Sequence, residues 1–192
     1  MPLQITEVGP DALTRYASVP MTTEVTSILL VEPLDDGLGG LSLREAPVER
    51  PYTKDYDDDG GPLSWPLRFD VSRWGFFLAE EPRRGLVGAA AVAWNTDGVN
   101  MLEGRADLGV LWDLRVRPEA RRSGVGRALM GRAVPWLRER GCRRLKIETQ
   151  NVNPRACRFY QALGCDLGAI HRFAYHDPGV ASEVMLLWYL DL

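Results

Sequence analysis

Hydrophobic residues along this chain fall into short runs that have the length and composition of β-strands. Most runs are rich in Val, Leu, Ile, Ala or aromatic residues and are bounded by Gly, Pro or charged positions, as is typical of strands in a packed sheet. Seven such runs lie at residues 25–32, 74–80, 86–94, 108–116, 143–149, 169–175 and 183–189.

Helical patterns separate several of these runs, and the strongest covers residues 124–140. Apolar residues recur four apart there and form one stripe. The stripe consists of Val125, Leu129, Ala133 and Leu137. A short helix is expected at residues 10–19. Asn153 as N-cap and Pro154 at the first position begin another helix, which Gly164 ends. Helices alternating with strands predict a mixed αβ layer around one continuous core.

The segment at residues 33–66 breaks this regularity because it is rich in Gly, Pro and Asp. We expect a long, partly irregular loop there, and long loops inside compact domains are often functional. The acidic run at residues 55–60 begins like a calcium loop, but its twelfth position, which requires a glutamate, is Pro66. We therefore expect no calcium site and no other metal.

Length and composition limit the class of protein. The 192 residues, of which 45% are hydrophobic and 26% charged, suit a single domain over residues 1–192. A net charge of −3 argues against broad nucleic-acid binding, and no apolar run reaches the length of a membrane span. Three cysteines, an odd number, and a first segment without a secretion signal predict a cytoplasmic protein with reduced thiols.

A glycine-containing turn between the strand 108–116 and the helix 124–140 carries the strongest chemical signal. Its sequence is Arg121-Arg122-Ser123-Gly124-Val125-Gly126. A helix start presents unpaired N–H groups and the positive end of the helix dipole, which together bind phosphate or pyrophosphate. Glycine lets the main chain approach the anion, and the two arginines add positive charge. The turn predicts a site for a phosphorylated cofactor beside a strand end.

This turn, with LRVRP at residues 114–118 before it, resembles the acetyl-CoA motif of the Gcn5-related N-acetyltransferase (GNAT) superfamily. That motif is Gln or Arg, two free positions, Gly, one free position, then Gly or Ala. Further along the chain, ETQNVN at residues 148–153 and ACRFY at 156–160 resemble the second motif of the superfamily. The resemblance covers residues 74–190. It implies an α/β fold with a mixed sheet of six or seven strands, splayed where acetyl-CoA binds and flanked by helices, and a variable substrate side at residues 1–70.

The resemblance also implies how acetyl-CoA is held. Pantetheine lies between the strands that carry Leu114 and Thr149 and bonds to main-chain groups, and the pyrophosphate meets the amides of the turn. The residues implied are Leu114, Arg115, Val116, Arg121, Arg122, Ser123, Gly124, Val125, Gly126, Arg127, Asn153, Ala156, Phe159 and Tyr160. A plain tight turn, a solvated arginine pair and a helix cap are the simpler interpretations of the same residues.

Two proton transfers need candidates. Tyr160 occupies the position of the family's general acid, which protonates the departing CoA thiolate, although a core tyrosine would have the same place on the helix stripe. An alkylamine with a pKa near about 10.4 is protonated at neutral pH, so a base must also act. Glu148 matches a glutamate that some relatives use in this way, Asp113 is the second candidate, and ordered water is the third. Alternation along the strand puts Asp113 beside Arg115, so it would instead pair with an arginine. Other family members carry a glutamate that acts as the base near the start of this strand, where this chain has Val110. That base therefore does not carry over directly to this chain.

The acidic and aromatic part of the 33–66 segment is interpreted as a lip that attracts a cationic substrate through charge and cation–π contacts. A solvated loop would have the same composition. The residues of this lip are Tyr52, Tyr56, Asp57, Asp58 and Trp65. A narrower resemblance, carried by residues 51–57, 148–151, 156–157, 183–184 and 188–190, is to streptothricin acetyltransferases. It implies acetyl transfer to a primary amine of streptothricin, an antibiotic-resistance activity.

Other acceptors are compatible with the same sequence, namely a polyamine, an aminoglycoside or a protein N-terminus. A protein of a different class, an acyl-CoA-binding regulator without turnover, would share the cofactor motif but would have no use for Tyr160 as an acid. The sequence is equally compatible with a monomer and with a homodimer.

Overall fold

The computed structural model describes residues 3–58 and 60–192, and nine strands and four α-helices lie within them. The strands are β1 (Gln4–Val8), β2 (Thr22–Pro33), β3 (Leu41–Asp55), β4 (Gly75–Glu81), β5 (Gly85–Trp94), β6 (Leu108–Val116), β7 (Arg144–Gln150), β8 (Asp166–His171) and β9 (Met185–Asp191). The helices are α1 (Leu13–Ala17), α2 (Gly61–Arg68), α3 (Val125–Arg138) and α4 (Pro154–Gln161).

Seven strands are hydrogen-bonded in the order β1-β4-β5-β6-β7-β9-β8, and β2 pairs with β3 in a sheet of two. This confirms the expected α/β class with a mixed central sheet. Packing divides the chain into two compact units. The first comprises Met1–Thr22, Asp55–Lys146 and Asp191–Leu192, and the second comprises Thr23–Lys54 and Ile147–Leu190. No helix in the described part of the chain is long and apolar enough to cross a bilayer.

An antiparallel arrangement of β1, β4, β5 and β6 forms the sheet of the first unit. Helix α3 approaches this sheet closely because glycines lie beneath it. A Cβ on Gly88 would lie 2.7 Å from Cγ1 of Val125, and a Cβ on Gly109 would lie 2.5 Å from Cδ2 of Leu137. Any larger residue at either position would push the helix outward. The two glycines therefore set the height of α3 and, with it, the position of its first turn.

Aromatic packing fills the other side of this sheet. The ring of Phe76, on β4, lies 6.2 Å from that of Trp74, which comes just before β4, and Trp65 of α2 stacks on Phe76 at 6.4 Å. Tyr16 of α1 meets Trp65 edge-on at 5.5 Å. Phe77, the next residue along β4, packs on α3 instead. These buried rings hold α1 and α2 against the sheet.

The second unit contains most of β7 together with β9 and β8, which are antiparallel to each other. Helix α4 begins as the sequence predicts. Asn153 is its N-cap, with Oδ1 accepting a hydrogen bond from the Ala156 N–H at 3.1 Å, and Pro154 is its first residue. Oγ1 of Thr149 on β7 lies 3.4 Å from Sγ of Cys157 on α4. This contact fixes the helix against the strand that precedes it.

The expectation of a long irregular loop at residues 33–66 is wrong. Strand β3 fills Leu41–Asp55, and α2 follows from Gly61. Prolines within β3 hid the strand, but in a sheet of two each strand has one unpaired side, where a missing N–H costs no ladder hydrogen bond. Of the acidic run at residues 55–60, Asp59 lies outside the described residues.

Candidate active site

The turn before α3 has the geometry of an anion-binding loop. Arg122 and Gly124 both have positive φ, at 64° and 93°, which turns the main chain sharply into the helix. No described side chain caps this helix start, and its first α-helical hydrogen bond runs from the Ala128 N–H to the Gly124 carbonyl at 3.0 Å. The N–H groups of the preceding residues point out of the helix without intrahelical partners. A Cβ on Gly124 would meet nothing within 4 Å, so the surface of the turn is open.

The side chains of this turn divide into anchors and exposed cations. Arg121 donates from Nε to the Val116 carbonyl at 3.2 Å and from Nη2 to the Thr22 carbonyl at 2.5 Å. Its expected role as a phosphate-binding cation is therefore secondary to fixing the turn. Arg122 and Arg127 are exposed and supply positive charge at the helix start. Other contacts also stabilise the turn: Ser123 Oγ donates to the Ala120 carbonyl at 2.6 Å.

Strand β6 changes its register just before the residues expected to contact pantetheine. Asp113 is paired with Ala91, but Leu111 is paired with the next residue of β5, so Trp112 is an extra residue in β6. Such a bulge bends a strand and redirects its side chains. Beyond the bulge, Leu114 and Val116 are half-buried and alternate with fully buried residues. Contact of their main chain with pantetheine stays a prediction.

Arg115 and Asp113 of β6 form the centre of a buried polar network in the first unit. The guanidinium of Arg115 donates to Asp113 from Nε at 2.9 Å and from Nη2 at 2.6 Å, and to Asp57 at 2.9 and 3.0 Å. A further bond reaches the Val19 carbonyl at 2.9 Å, so all five N–H donors are used. The Tyr16 hydroxyl donates to Asp113 at 2.6 Å. The alternative for Asp113, pairing with an arginine, is confirmed.

Electrostatics agree with this assignment. Burial would lower the pKa of Arg115, but Asp113 and Asp57 outweigh it and raise the pKa above its ordinary value. Burial and then the charge of Asp113 raise the pKa of Tyr16 well above its ordinary value. The Arg115 side chain is consumed inside the protein and cannot serve a cofactor, so only its main chain is a candidate for that role.

Most of the expected acidic and aromatic lip belongs to the body of the first unit. Trp65 is 6% exposed inside the aromatic core, and the Asp57 carboxylate is bound by Arg115. Packing occupies Trp65 and ion pairing occupies Asp57, and their contact with substrate stays a prediction. Asp58 is exposed, and Tyr56 is half-buried, with its N–H donating to the Met21 carbonyl at 3.1 Å. Any contact of Tyr56 and Asp58 with substrate is untested.

The second unit holds a separate acidic cluster, and it contains Glu148. The Tyr175 hydroxyl donates to Oε1 of Glu148 at 2.7 Å, and Nε2 of Gln150 donates to the Tyr175 oxygen at 3.1 Å. Tyr175 lies beyond β8, which ends at His171 and not at residue 175 as expected. Burial and then the charge of Glu148 raise the pKa of Tyr175, so its hydroxyl keeps its proton.

Glu183 is the second carboxylate of this cluster. One oxygen accepts a hydrogen bond from Nζ of Lys54, while Oε2 is buried and accepts none from any described residue. Its charge contributes to raising the pKa values of Tyr52, after burial, and of Tyr175, after burial and Glu148. Sequence reasoning assigned Tyr52 to substrate binding but did not assign a role to Tyr175, Gln150, Lys54 or Glu183. Lys54, Gln150 and Glu183 lie in segments that carry the streptothricin acetyltransferase resemblance, whereas Tyr175 lies in none of them. Nothing local signals that the four residues come together, because they belong to distant parts of the chain.

Tyr160 lies on the inner side of α4. It is 7% exposed, and its ring meets that of Phe159 at 5.2 Å. Both the general-acid interpretation and the core interpretation of Tyr160 require a buried side chain on this face. Asn153 is confirmed as the helix cap, and contacts of Asn153, Ala156 and Phe159 with the cofactor are untested.

Comparison with known proteins decides the family. The model of the acetyltransferase (GNAT) family matches residues 42–165, which include the α3 turn, β7 and α4. The chain belongs to the GNAT family. It is an acetyl-CoA-dependent N-acetyltransferase, as the sequence predicts.

Among curated relatives, this GNAT chain is 28% identical to streptothricin acetyltransferase A of Bacillus subtilis (strain 168) over 145 residues, 76% of each chain. It is 31% identical to the streptothricin acetyltransferase of Streptomyces lavendulae over 154 residues, 80% of this chain and 76% of the relative. The crystal structure of nourseothricin acetyltransferase superposes with a TM-score of 0.77 at 27% identity, covering 100% of this chain and 99% of the other.

The GNAT cosubstrate fits the turn before α3. A crystal structure of a Bacillus anthracis str. Ames protein in complex with acetyl coenzyme A has the same fold, with a TM-score of 0.76 at 21% identity and full coverage of both chains. In this chain, the uncapped amides of Gly124, Val125 and Gly126 and the exposed Arg122 and Arg127 provide donors and positive charge. These are the groups that a pyrophosphate requires.

Proposed function

We propose that this GNAT enzyme acetylates a primary amine of streptothricin and thereby confers resistance to it. The observation that carries the proposal is the acidic cluster of the second unit. There the half-buried Glu148 receives hydrogen bonds on one oxygen and keeps the other for a substrate, while Glu183 adds a second negative charge. Lys54 offsets only one of these two charges. A cationic amine is the acceptor that such a cluster favours.

Relatives support streptothricin over the other amines. Streptothricin acetyltransferases from Bacillus subtilis, Streptomyces lavendulae and Escherichia coli match over 70% or more of their own lengths. A ribosomal-protein alanine N-acetyltransferase of Escherichia coli and an aminoglycoside acetyltransferase of Stenotrophomonas maltophilia match over only 55% and 57% of theirs. The longer matches cover 72–80% of this chain, against 42–46% for the other two.

In the proposed mechanism, Glu148 removes a proton from the acceptor's ammonium. Free alkylamines have a pKa near about 10.4 and are almost wholly protonated at neutral pH, so this step produces the nucleophile. Glu148 stays the preferred base over Asp113, because Asp113 is bound by Arg115 and Tyr16. Glu183 attracts the cation without contacting the reacting nitrogen.

Acetyl-CoA supplies the acetyl group as a thioester when bound, and residues of this chain hold it and manage the leaving group. The amides at the start of α3 bind the pyrophosphate, and a main-chain N–H near Leu114 polarises the thioester carbonyl. The amine nitrogen forms the new bond to the carbonyl carbon as the carbon–sulfur bond breaks, and the nitrogen then releases its second proton to solvent, from which Tyr160 is reprotonated after it has served as the acid. Tyr160 then donates its phenolic proton to the thiolate, a transfer that is uphill by only about 2 kcal/mol, since the phenol and the thiol have pKa values of about 10 and about 8.5.

The test is CoA release with purified enzyme, acetyl-CoA and a panel of acceptors. The panel comprises streptothricin, spermidine, an aminoglycoside and a peptide with an N-terminal alanine. We expect the highest kcat/KM with streptothricin, by roughly a hundredfold, since correct placement of charged groups in a dry site discriminates strongly. A higher kcat/KM for any other amine would reassign the acceptor. Acetyl-CoA binding without turnover on every amine would indicate a regulator.

We also infer a cytoplasmic location. All three cysteines, Cys142, Cys157 and Cys165, are buried free thiols. Unpaired thiols are typical of proteins that function in a reducing compartment. Fractionation of cells that produce the protein would test this, and recovery from the medium or periplasm would contradict it.

A further inference from the structure

Tyr175 makes the shortest hydrogen bond to Glu148, although it belongs to neither GNAT motif. Its hydroxyl donates to Oε1 of Glu148 at 2.7 Å. Nε2 of Gln150 lies 3.1 Å from the Tyr175 oxygen and 3.4 Å from the same Glu148 oxygen. The three side chains form a closed triangle within the second unit. Two of them, Glu148 and Gln150, leave the same side of β7, and Tyr175 arrives from the segment after β8.

This triangle fixes the orientation of the carboxylate. Both hydrogen bonds that Glu148 accepts from described side chains end on Oε1, so rotation of the carboxylate about its terminal bond would break them together. Oε2 is the oxygen left for an incoming ammonium. A base held within hydrogen-bond reach in one orientation transfers a proton more efficiently than one that samples several.

We propose that Tyr175 is a positioning residue for acetyl transfer, acting through Glu148. This inference rests on the proposed function, in which Glu148 is the base. Tyr175 holds Oε1 and presents Oε2 to the acceptor, and Gln150 holds the Tyr175 oxygen in turn. Neither Tyr175 nor Gln150 exchanges a proton with the substrate.

The charges around Tyr175 keep its hydroxyl a donor. Burial raises its pKa, and the negative charges of Glu148 and Glu183 raise it further. Lys54, the cation of the cluster, is paired with Glu183. The hydroxyl is therefore protonated throughout the pH range in which the enzyme is assayed, and the hydrogen bond to Glu148 persists over that range.

A double-mutant cycle on kcat tests this role, with Tyr175→Phe, Glu148→Gln and the double variant, all as full chains with streptothricin and acetyl-CoA. Tyr175→Phe should lower kcat roughly tenfold or more, as expected for loss of a hydrogen bond to a charged group. The KM for acetyl-CoA should be unchanged. In the Glu148→Gln background, Tyr175→Phe should lower kcat no further, because both act through one carboxylate.

The outcomes separate this inference from the proposed function. If Glu148→Gln retains full kcat, the assignment of the base is wrong. If Glu148→Gln loses activity but Tyr175→Phe does not, or if Tyr175→Phe lowers kcat equally in both backgrounds, Tyr175 has no positioning role. Phe173→Leu, which alters an exposed ring two residues away, is the matched control and should leave kcat unchanged. Thermal unfolding of each variant reports whether it is folded.

Discussion

Asp113 and Arg115 leave the same side of β6 and are joined by two hydrogen bonds of 2.9 and 2.6 Å, with both residues at most 6% exposed. Asp57 and the Val19 carbonyl take the other three donors of the guanidinium, and Tyr16 donates to Asp113, so no donor of Arg115 is left for a ligand. A carboxylate held in this way is poorly suited to accept a proton from substrate. The geometry thus distinguishes the two carboxylates that sequence alone left as candidate bases.

Asp113→Ala should destabilise the protein without removing its chemistry. Breaking a buried ion pair by deleting one partner typically costs about 3–5 kcal/mol, and we expect a loss of that order in the free energy of unfolding measured with urea. The kcat of the folded fraction should stay within roughly threefold of the parent, on the assumption that the site is undisturbed. Asp107→Ala, which removes an exposed partner of Arg105, should leave stability nearly unchanged. A stable Asp113→Ala protein without turnover would instead make Asp113 the base.

Gly124→Ala should weaken acetyl-CoA binding. The φ of Gly124 is 93°, a value that costs a residue with a Cβ roughly 1–2 kcal/mol, so the turn would relax away from its present form. We expect the Kd for acetyl-CoA, measured by calorimetry, to rise roughly tenfold. Gly131→Ala is the control, because it lies inside α3, where a Cβ meets nothing within 4 Å and alanine favours the helix. Equal affinities for the two variants would remove the turn from the cofactor site.

Glu183→Gln should raise the KM for a cationic acceptor while leaving the KM for acetyl-CoA unchanged. The substitution removes one negative charge from the cluster, and a nearby unit charge in a partly dry site is worth about 1 kcal/mol or more, or roughly five- to tenfold in KM. Glu49→Gln makes the same change in charge at an exposed position of β3 and should have little effect. Initial rates over a range of acceptor concentrations decide between these outcomes. Equal KM values for the two variants would count against an electrostatic role.

Stability should fall above about pH 10 because of Tyr16. Burial and Asp113 raise its pKa in the folded protein, whereas the unfolded chain loses this proton near about pH 10. The contribution of Tyr16 to the free energy of unfolding is fully present below about pH 10 and declines as pH rises, by about 1.4 kcal/mol per pH unit. Cys142 and Cys165, whose pKa values burial raises to about 11, act in the same direction from about pH 8.5. Urea unfolding between about pH 8 and 11 measures the slope, and Tyr16→Phe should reduce it. A slope identical in both proteins would contradict the burial of a protonated tyrosine.

Several parts of the fold follow directly from local sequence. The bounds of β6, Leu108–Val116, are those that its apolar run predicts, because a strand with a buried face has a strong hydrophobic signal. Asn153 and Pro154 predict the start of α4 through capping chemistry, which needs no tertiary information. The glycine turn before α3 is equally local.

Other parts could not be predicted because they depend on distant residues. The prolines in β3 favour the prediction of a loop. A strand would be predicted there only if it were known to lie in a sheet of two. From sequence alone, Trp65 is interpreted as an exposed substrate-binding ring. In the structure it packs against Tyr16, Trp74 and Phe76. The contact of Tyr175 with Glu148 joins residues 27 positions apart, and no periodic pattern in the sequence predicts it.

Mass spectrometry of streptothricin after incubation with the purified enzyme and acetyl-CoA tests the central claim most directly. The account predicts that streptothricin gains one acetyl group on a primary amine, that CoA is released in equal amount, and that Glu148→Gln lowers the rate by roughly a hundredfold or more. Streptothricin that stays unmodified, whether another amine is acetylated in its place or no amine is, would contradict the account.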